Sequence, residues 1–248
     1  MTENLSHLSQ TTDTLVAICT YNEAGSVEAM LNELREAFSD AVLLVVDDDS
    51  PDGTAAIVKT VGERDPKVQL LVRRDQRGLG SAIVDAMRIA CDGGFDYFLN
   101  LDADLSHSPA QMPALREMAQ QDPSLAVVIG SRYVPGGEIV GWPFRRRVMS
   151  KLVNRFATGV LRLPVHDCSG SMRCYRTSAL REIELSSLRC VGYAVLEEVL
   201  VRLHQHGYKF GEVPITFTER QTGHSKLTLR EAARSIAYMF RLAFESKR

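Results

Sequence analysis

Between residues 15 and 129 short apolar runs alternate with stretches of helical period, and that alternation leaves few folds open. Leu15-Val-Ala-Ile18, Ala41-Val-Leu-Leu-Val-Val46, Val68-Gln-Leu-Leu-Val72, Tyr97-Phe-Leu-Asn-Leu101 and Leu125-Ala-Val-Val-Ile129 have the length and β-branched character of buried strands. Between them, Val27 to Phe38 places Val27, Met30, Leu31, Leu34 and Phe38 on one helical side. Gly53-Thr-Ala-Ala-Ile-Val58 opens a second helix, Leu79 to Cys91 forms a third, and Pro109 occupies a helix-start position. Repeated strand–helix units predict an α/β chain, a mostly parallel sheet with helices on both faces in a single domain. In such sheets ligands bind beyond the carboxyl ends of the strands. Thr20-Tyr-Asn-Glu23, Asp47-Asp-Asp-Ser50 and Asp102-Ala-Asp104 each follow a strand directly, so they are expected on one edge.

The second half is less regular. Tyr133 to Trp142 reads as a loop, Arg147 to Leu163 as a helix, and Lys209 to Phe217 alternates like an edge strand. Leu180 to Ile183, Val195 to His204 and Leu229 to Phe244 are further helices. The formal net charge of −2 over 248 residues provides no global field for nucleic acid, and none is expected as a partner. Five cysteines, an odd number with no CxxC spacing, argue against a zinc site or redox dithiol and for a reducing compartment. The start, Met1 to Asp13, is polar and is expected to be a disordered tail rather than a signal peptide; no apolar run is long enough to span a membrane.

Asp102-Ala-Asp104 is the strongest local signal. Residues two apart on an extended segment point the same way, so their carboxylates repel unless a cation sits between them. Mg²⁺ or Mn²⁺ suits that pair, with diphosphate oxygens and water completing the shell, and Ser106 adds a hydroxyl. Such an ion neutralises the charge on a departing nucleoside diphosphate. Asp47 and Asp49 form a second pair that can accept hydrogen bonds from a base or ribose, whereas Asp52, Gly53 and Thr54 are explained as turn and helix-start residues. A haloacid-dehalogenase-like phosphatase also begins with strand-DxD, but it needs a downstream lysine and acidic pair. Gly78-Leu-Gly80 has Ile83 at the third glycine position of a dinucleotide fingerprint, so it reads as a turn into a helix.

Cations supply the complementary half. Arg132 follows the fifth strand and belongs to the same edge, while Arg220 and Lys226 bracket Gln221-Thr-Gly-His-Ser225. Basic side chains on glycine-containing loops bring an anionic donor and acceptor together. Arg145-Arg-Arg147, Lys151, Arg155 and Arg162 are a dense positive group. Arg147, Lys151, Arg155 and Arg162 share one helical face, and Met149, Leu152, Val153, Phe156 and Val160 share another. Two expectations stay open for that helix: docking on an anionic membrane, or ordinary core packing with a solvated face. No histidine takes a role by spacing. Glu197 and Glu198 start a helix, and one of them is a candidate base or sugar-hydroxyl partner.

In order and spacing, Thr20-Tyr-Asn-Glu23, Val46-Asp-Asp-Asp-Ser-Pro-Asp-Gly-Thr54, Gly78-Leu-Gly80, Asp102-Ala-Asp-Leu-Ser-His107, Gly130-Ser-Arg-Tyr133, Asp167-Cys-Ser-Gly-Ser-Met-Arg173, Gly192-Tyr193, Val213-Pro-Ile215 and Arg220-Gln-Thr-Gly-His-Ser-Lys226 resemble the dolichol-phosphate mannosyltransferases. These are polyprenol-phosphate sugar transferases within the family-2 glycosyltransferases, and the resemblance runs from Leu15 to the helix after Lys226. It implies a GT-A (Rossmann-like) fold over residues 14–226, with 227–248 as an amphipathic C-terminal helix packed on or next to it. It implies inverting transfer of mannose from GDP-mannose to a polyprenyl phosphate, with Mg²⁺ or Mn²⁺. It sets the donor against Cys19, Tyr21, Glu23, Val45, Asp47, Asp49, Asp102 and Ala103. Asp104 becomes the main metal ligand, with Asp102 and Ser106 beside it, and Arg132, Arg220 and Lys226 join Asp104 as the catalytic set at the phosphates. Arg146, Ser169 and Glu198 fall to the sugar and acceptor. The implied partners are a nucleotide sugar, a polyprenyl phosphate lipid, a membrane surface at its cytoplasmic face and a small membrane-anchoring subunit.

The pattern departs from the family at Cys19, where proline is usual, at Val195-Leu-Glu-Glu198 in place of Phe-Gln-x-Glu, and at Met172 in place of an aromatic. These positions bear on the sugar more than on the reaction class. The rival expectations are a UDP-sugar transferase acting on polyprenyl phosphate or a carbohydrate, and a catalytically silent nucleotide-binding regulatory paralogue.

Overall fold

The computed structural model describes residues 11–188, 192, 194–219, 238, 241 and 242. Its strands and helices alternate through the first half as the periodicity predicts: β1 (Thr14–Thr20), α1 (Val27–Ala37), β2 (Val42–Asp47), α2 (Thr54–Arg64), β3 (Val68–Val72), α3 (Leu79–Asp92), β4 (Tyr97–Asp102), α4 (Met112–Gln121) and β5 (Leu125–Ser131). Pro109 opens a 3₁₀ turn, Pro109–Gln111, that leads into α4. The rest comprises β6 (Glu138–Val140), α5 (Phe144–Leu161), β7 (Arg173–Arg176), α6 (Thr177–Glu182), α7 (Val195–Gln205), β8 (Lys209–Pro214) and β9 (Thr216–Thr218).

Seven strands form one sheet in the order β3-β2-β1-β4-β7-β5-β8. The β1–β2, β1–β4, β2–β3 and β5–β8 pairs are parallel, and β7 alone runs antiparallel, wedged between β4 and β5. Period-two alternation sends successive β1 side chains to opposite faces. Leu15 and Ala17 join the layer built with α3, α5 and α7, whereas Val16 and Ile18 join the layer built with α1, α2 and α4. Both faces are thus covered, which explains why β2 is buried along its whole length. Leu242 is buried in the first layer, with Tyr238 packed against it.

Several expectations needed correction. Tyr133 to Trp142 is not all loop, because β6 pairs with β9 in a small second sheet. The predicted edge strand Lys209 to Phe217 is two strands separated at Ile215, the first of them at the sheet edge. The strand β7 was not anticipated at all, since Arg-Cys-Tyr-Arg carries two charges into a sheet interior. The basic helix packs on the core, but not with the face the periodicity pointed to. Along α5 only Asn154, Ala157 and Leu161 are buried, while Met149, Leu152, Val153 and Phe156 are exposed.

Candidate active site

The acidic clusters sit where β1, β2 and β4 end side by side. Thr20 lies opposite Asp47, and Cys19 opposite Asp102. Asp47 is fully buried. Its carboxylate accepts the Thr20 hydroxyl at 2.7 Å, the Ser50 hydroxyl at 2.6 Å and the Ser50 amide at 2.8 Å, so it braces the two loops together. The open carboxylate after β2 is that of Asp49, exposed and held with φ of 54°. The same loops are tied again where Glu23 N donates to Thr54 Oγ1 at 3.0 Å and Ala24 N donates to Asp52 Oδ2 at 3.0 Å. Burial acts to raise the Asp52 pKa, but hydrogen bonds from Thr54 and Ala24 outweigh it and hold the group below its ordinary value. Tyr21 lies half-buried under the Arg77 guanidinium, 5.5 Å from the ring centroid. Val45 is fully buried, with its side chain in the core. Burial, reinforced by Asp48, pushes the Cys19 thiol far up, so it is neutral and not a nucleophile.

A further ion-pair cluster lies behind these loops. Arg73 is buried, pairs with Asp48 at 3.0 Å and Asp85 at 3.2 Å, and donates to Ser81 Oγ at 2.6 Å. Asp48 Oδ2 in turn accepts Gly78 N at 2.6 Å. Gly78 has φ of 130° and precedes α3, which agrees with its reading as a turn into a helix. A Cβ on Gly80 would lie 2.6 Å from the Gly192 carbonyl oxygen, so only glycine lets these backbones touch.

Asp102 ends β4 half-buried, and Ala103, Asp104, Ser106 and His107 are buried just beyond it. Asp104 Oδ1 accepts the Ser106 amide at 3.0 Å and the Ser106 hydroxyl at 2.5 Å, which fixes the turn. Among the described residues no group of three or more His, Cys, Asp or Glu gathers around one point. Two carboxylates and a hydroxyl are a hard-oxygen set that fits Mg²⁺ or Mn²⁺ only when phosphate oxygens and water complete the shell. That is the coordination expected of an ion arriving with a nucleotide. His107 packs edge-on against Phe217 with centroids 4.9 Å apart. Burial and then the Arg132 charge press its pKa down to about 4, so it is neutral. Thr218 N donates to Ser106 O at 2.9 Å, tying β9 to this turn.

Arg132 emerges at the end of β5, where the expectation placed it. Its Nε donates to Asp167 Oδ2 at 2.7 Å; its Nη2 donates to Asp167 Oδ1 at 2.9 Å and to Ser169 Oγ at 2.8 Å. Burial opposes the charge, but Asp167 overrides it and keeps the guanidinium ionised. Burial likewise opposes ionisation of Asp167, and Arg132 pulls its pKa below the ordinary value. Among the described residues the hydrogen bonds of the guanidinium run through Nε and Nη2. Arg132 and Asp104 both act on the His107 titration, and Asp102 acts on Arg132, so cation and carboxylates share one electrostatic neighbourhood.

The role of Asp167 escaped the sequence reading because its partner lies 35 residues away and Asp167-Cys-Ser-Gly looks like any turn. The turn is held from below by Arg173, fully buried, which donates to the carbonyls of Gly170 at 2.8 Å, Cys168 at 2.5 Å and Leu196 at 2.8 Å. Of the acceptor candidates, Ser169 touches Arg132. Arg146 lies apart, paired with Glu219 at 2.5 Å and stacked 3.9 Å over Trp142. Glu198 is fully buried in α7 beside Arg202, at 3.4 Å. Glu197 is buried too, and burial raises its carboxyl to about 7. Arg220, Lys226 and Tyr193 lie outside the described residues.

A mostly parallel α/β sheet with paired carboxylates at its rim and a clamped arginine across from them defines a glycosyltransferase of the GT-A type. The chain belongs to glycosyl transferase family 2, whose profile covers residues 15–184. It is 37% identical over 228 residues to a polyprenol monophosphomannose synthase of Mycolicibacterium smegmatis, covering 90% of this chain and 85% of that protein. It is 39% identical over 214 residues to an undecaprenyl-phosphate mannosyltransferase of Micrococcus luteus, covering 86% and 87%. Among solved structures it resembles the glucosyl-3-phosphoglycerate synthase of Mycobacterium tuberculosis in complex with Mn²⁺, uridine diphosphate and phosphoglyceric acid. That match has a TM-score of 0.67 at 16% identity over 99% of this chain and 82% of that one, a likeness of fold.

Proposed function

We propose that this enzyme transfers mannose from GDP-mannose to a polyprenyl (dolichyl-type) phosphate, with inversion, as a peripheral protein at the cytoplasmic face of a membrane. The observation that carries this is the 37–39% identity, along 86–90% of the chain, to two proteins named for joining mannose to a polyprenyl phosphate.

The site chemistry agrees with that substrate pair. Asp104, with Asp102 and Ser106 beside it, would hold Mg²⁺ or Mn²⁺, which would supply neutralisation of the charge on the leaving diphosphate. In this reading Tyr21, Glu23 and Asp49 bind the nucleoside and Arg132 binds the phosphates, a role the family resemblance also gives to Arg220 and Lys226, which lie outside the described residues. An acceptor phosphate oxygen attacks the anomeric carbon from the side opposite the diphosphate. The carbon–oxygen bond to GDP breaks, and the electron pair leaves with GDP. A phosphate monoester is already an anion near neutral pH, so no side chain has to remove a proton. Positioning and charge neutralisation are the protein's contribution, and an arginine locked by Asp167 supplies a cation that needs no reorganisation.

The test is a donor panel, GDP-mannose, UDP-glucose and UDP-galactose, incubated with a short-chain polyprenyl phosphate and Mg²⁺, Mn²⁺ or EDTA. Metal-dependent formation of mannosyl lipid phosphate from GDP-mannose is the expected result. Product from a UDP-sugar alone would overturn the donor, and no product from any donor would favour a catalytically silent paralogue.

A further inference from the structure

We infer that Glu197 is a positioning residue for the Arg132 clamp: its carboxylate is the counter-charge of the buried Arg173, which holds the turn that carries Asp167. This deepens the proposed reaction and rests on Arg132 as the cation at the phosphates. No step of that reaction uses Glu197. Yet the residue is 5% exposed, and its Oε2 has no hydrogen-bond partner among the described residues. A buried carboxylate oxygen left unpartnered is costly, which marks a functional position rather than a packing one.

A short chain of contacts runs from α7 to the clamp. Arg173 is fully buried. Its Nη1 donates to Leu196 O at 2.8 Å and Tyr175 Oη at 3.2 Å, its Nη2 to Cys168 O at 2.5 Å and its Nε to Gly170 O at 2.8 Å. All four acceptors are neutral, so these bonds leave the guanidinium charge unbalanced. The neighbouring carboxylates are engaged elsewhere, Asp167 with Arg132 at 2.7 Å and Glu198 with Arg202 at 3.4 Å. Glu197 follows Leu196 directly in α7, and Arg173 favours its ionised form. Asn100 lies opposite Arg173 in the β4–β7 ladder and donates to Ser171 O at 2.6 Å. Asn100 Oδ1 and Ser171 Oγ are buried without a partner as well, so packing alone does not close the polar floor beneath the turn.

The groups that face Glu197 set when it carries charge. Burial raises its carboxyl to about 7; Arg173 lowers it, and Asp167 opposes ionisation. Glu197 acts in turn on the Cys168 thiol, which burial already pushes up, and on Tyr175 of β7. Near neutral pH both forms are therefore populated. Ionised, Glu197 balances Arg173 and the turn is firm. Neutral, it leaves Arg173 to uncharged acceptors, and the turn that presents Asp167 to Arg132 loosens.

The experiment compares full-length wild type, Glu197→Gln and Glu197→Asp at pH 6 and pH 8. Exchange of the Arg132 Nε–H with solvent, assigned by its loss in Arg132→Lys, reads the clamp by NMR without turnover. Transfer from GDP-mannose to a short-chain polyprenyl phosphate gives kcat and the donor KM. At pH 8 Glu197→Gln is expected to exchange Arg132 Nε–H about fivefold faster than wild type and to lose about fivefold in kcat. Donor KM should be unchanged and Tm should be higher than wild type. At pH 6 the two proteins should coincide in exchange and kcat. Because each comparison is a ratio at one pH, ionisation of the acceptor phosphate cancels. Glu197→Asp, which restores the charge, should recover part of the loss at pH 8. Equal Arg132 exchange in wild type and Glu197→Gln at both pH values would overturn the inference. So would a kcat ratio independent of pH, or a lower Tm at pH 8, either of which makes Glu197 merely structural. Absence of product from any donor would overturn the proposed function instead, and Arg132 exchange would still decide the role of Glu197.

Discussion

Replacing Asp167 with asparagine tests whether the Arg132 clamp is built by that carboxylate. Asp167 has no exposed surface and the Arg132 side chain is 8% exposed, so neither charge is solvated in compensation. Its two oxygens accept Arg132 Nε, Nη2 and backbone N, as well as the amides of Ser169 and Gly170. Asparagine preserves the shape but keeps one acceptor and turns an NH₂ group toward the guanidinium. Breaking a buried pair costs about 3–5 kcal/mol, and the retained carbonyl places Asp167→Asn near the lower end, about 3 kcal/mol. For a chain of this size that corresponds to a fall in Tm of about 6–12 °C. A loosened Arg132 should also cost turnover on the order of 10²-fold. Differential scanning fluorimetry with a transfer assay reads both. In an Arg132→Gln background the same substitution should cost much less, because the partner is already gone. The pH dependence has a defined sign. The folded pKa of Asp167 is depressed, so its stabilisation is present above the unfolded carboxylate pKa and is lost as pH falls through the folded one. Wild type should lose stability on acidification below about pH 4 more steeply than Asp167→Asn. A Tm within about 2 °C of wild type with full turnover would show that Arg132 does not depend on this carboxylate.

Asp104→Ala should remove metal-dependent transfer by on the order of 10³-fold while leaving the far-ultraviolet circular dichroism unchanged; retained activity would displace the metal from this turn. Glu197→Gln should be close to neutral at pH 5 and raise Tm at pH 8. The folded carboxyl titrates at about 7 because burial disfavours its charge, a disfavour only partly offset by Arg173, so stability drains away as pH climbs from the unfolded value to the folded one. Equal Tm differences at both pH values would contradict that. Gly80→Ala should destabilise by about 1–3 kcal/mol in urea unfolding, since its Cβ would meet Gly192 backbone rather than a movable side chain.

The alternation of strands and helices from β1 to β5 could be read in the chain because period and burial are local properties: each run carries its own signature over a few residues. The acidic rim followed from the same logic, as polar residues placed just after buried strands must share an edge once the sheet is parallel. Where two open readings met at α5, periodicity identified both faces but not which one turns outward; that depended on what packs against it.

What the chain could not declare by itself is the pairing of distant residues. Asp167 and Arg132 become partners only because β7 enters antiparallel between β4 and β5 and carries the preceding turn to the end of β5. Nothing local in Arg173-Cys-Tyr-Arg176 marks a central strand, since Arg173 is tolerable there only when three carbonyls and a tyrosine hydroxyl converge on it. The sequence by itself determined the layered α/β architecture and the carboxylates at its rim, because periodicity and strand ends are short-range. The tertiary structure alone decided which cation is clamped, which acids are silenced by burial and which helix face is left to solvent, because desolvation and pairing depend on neighbours far along the chain.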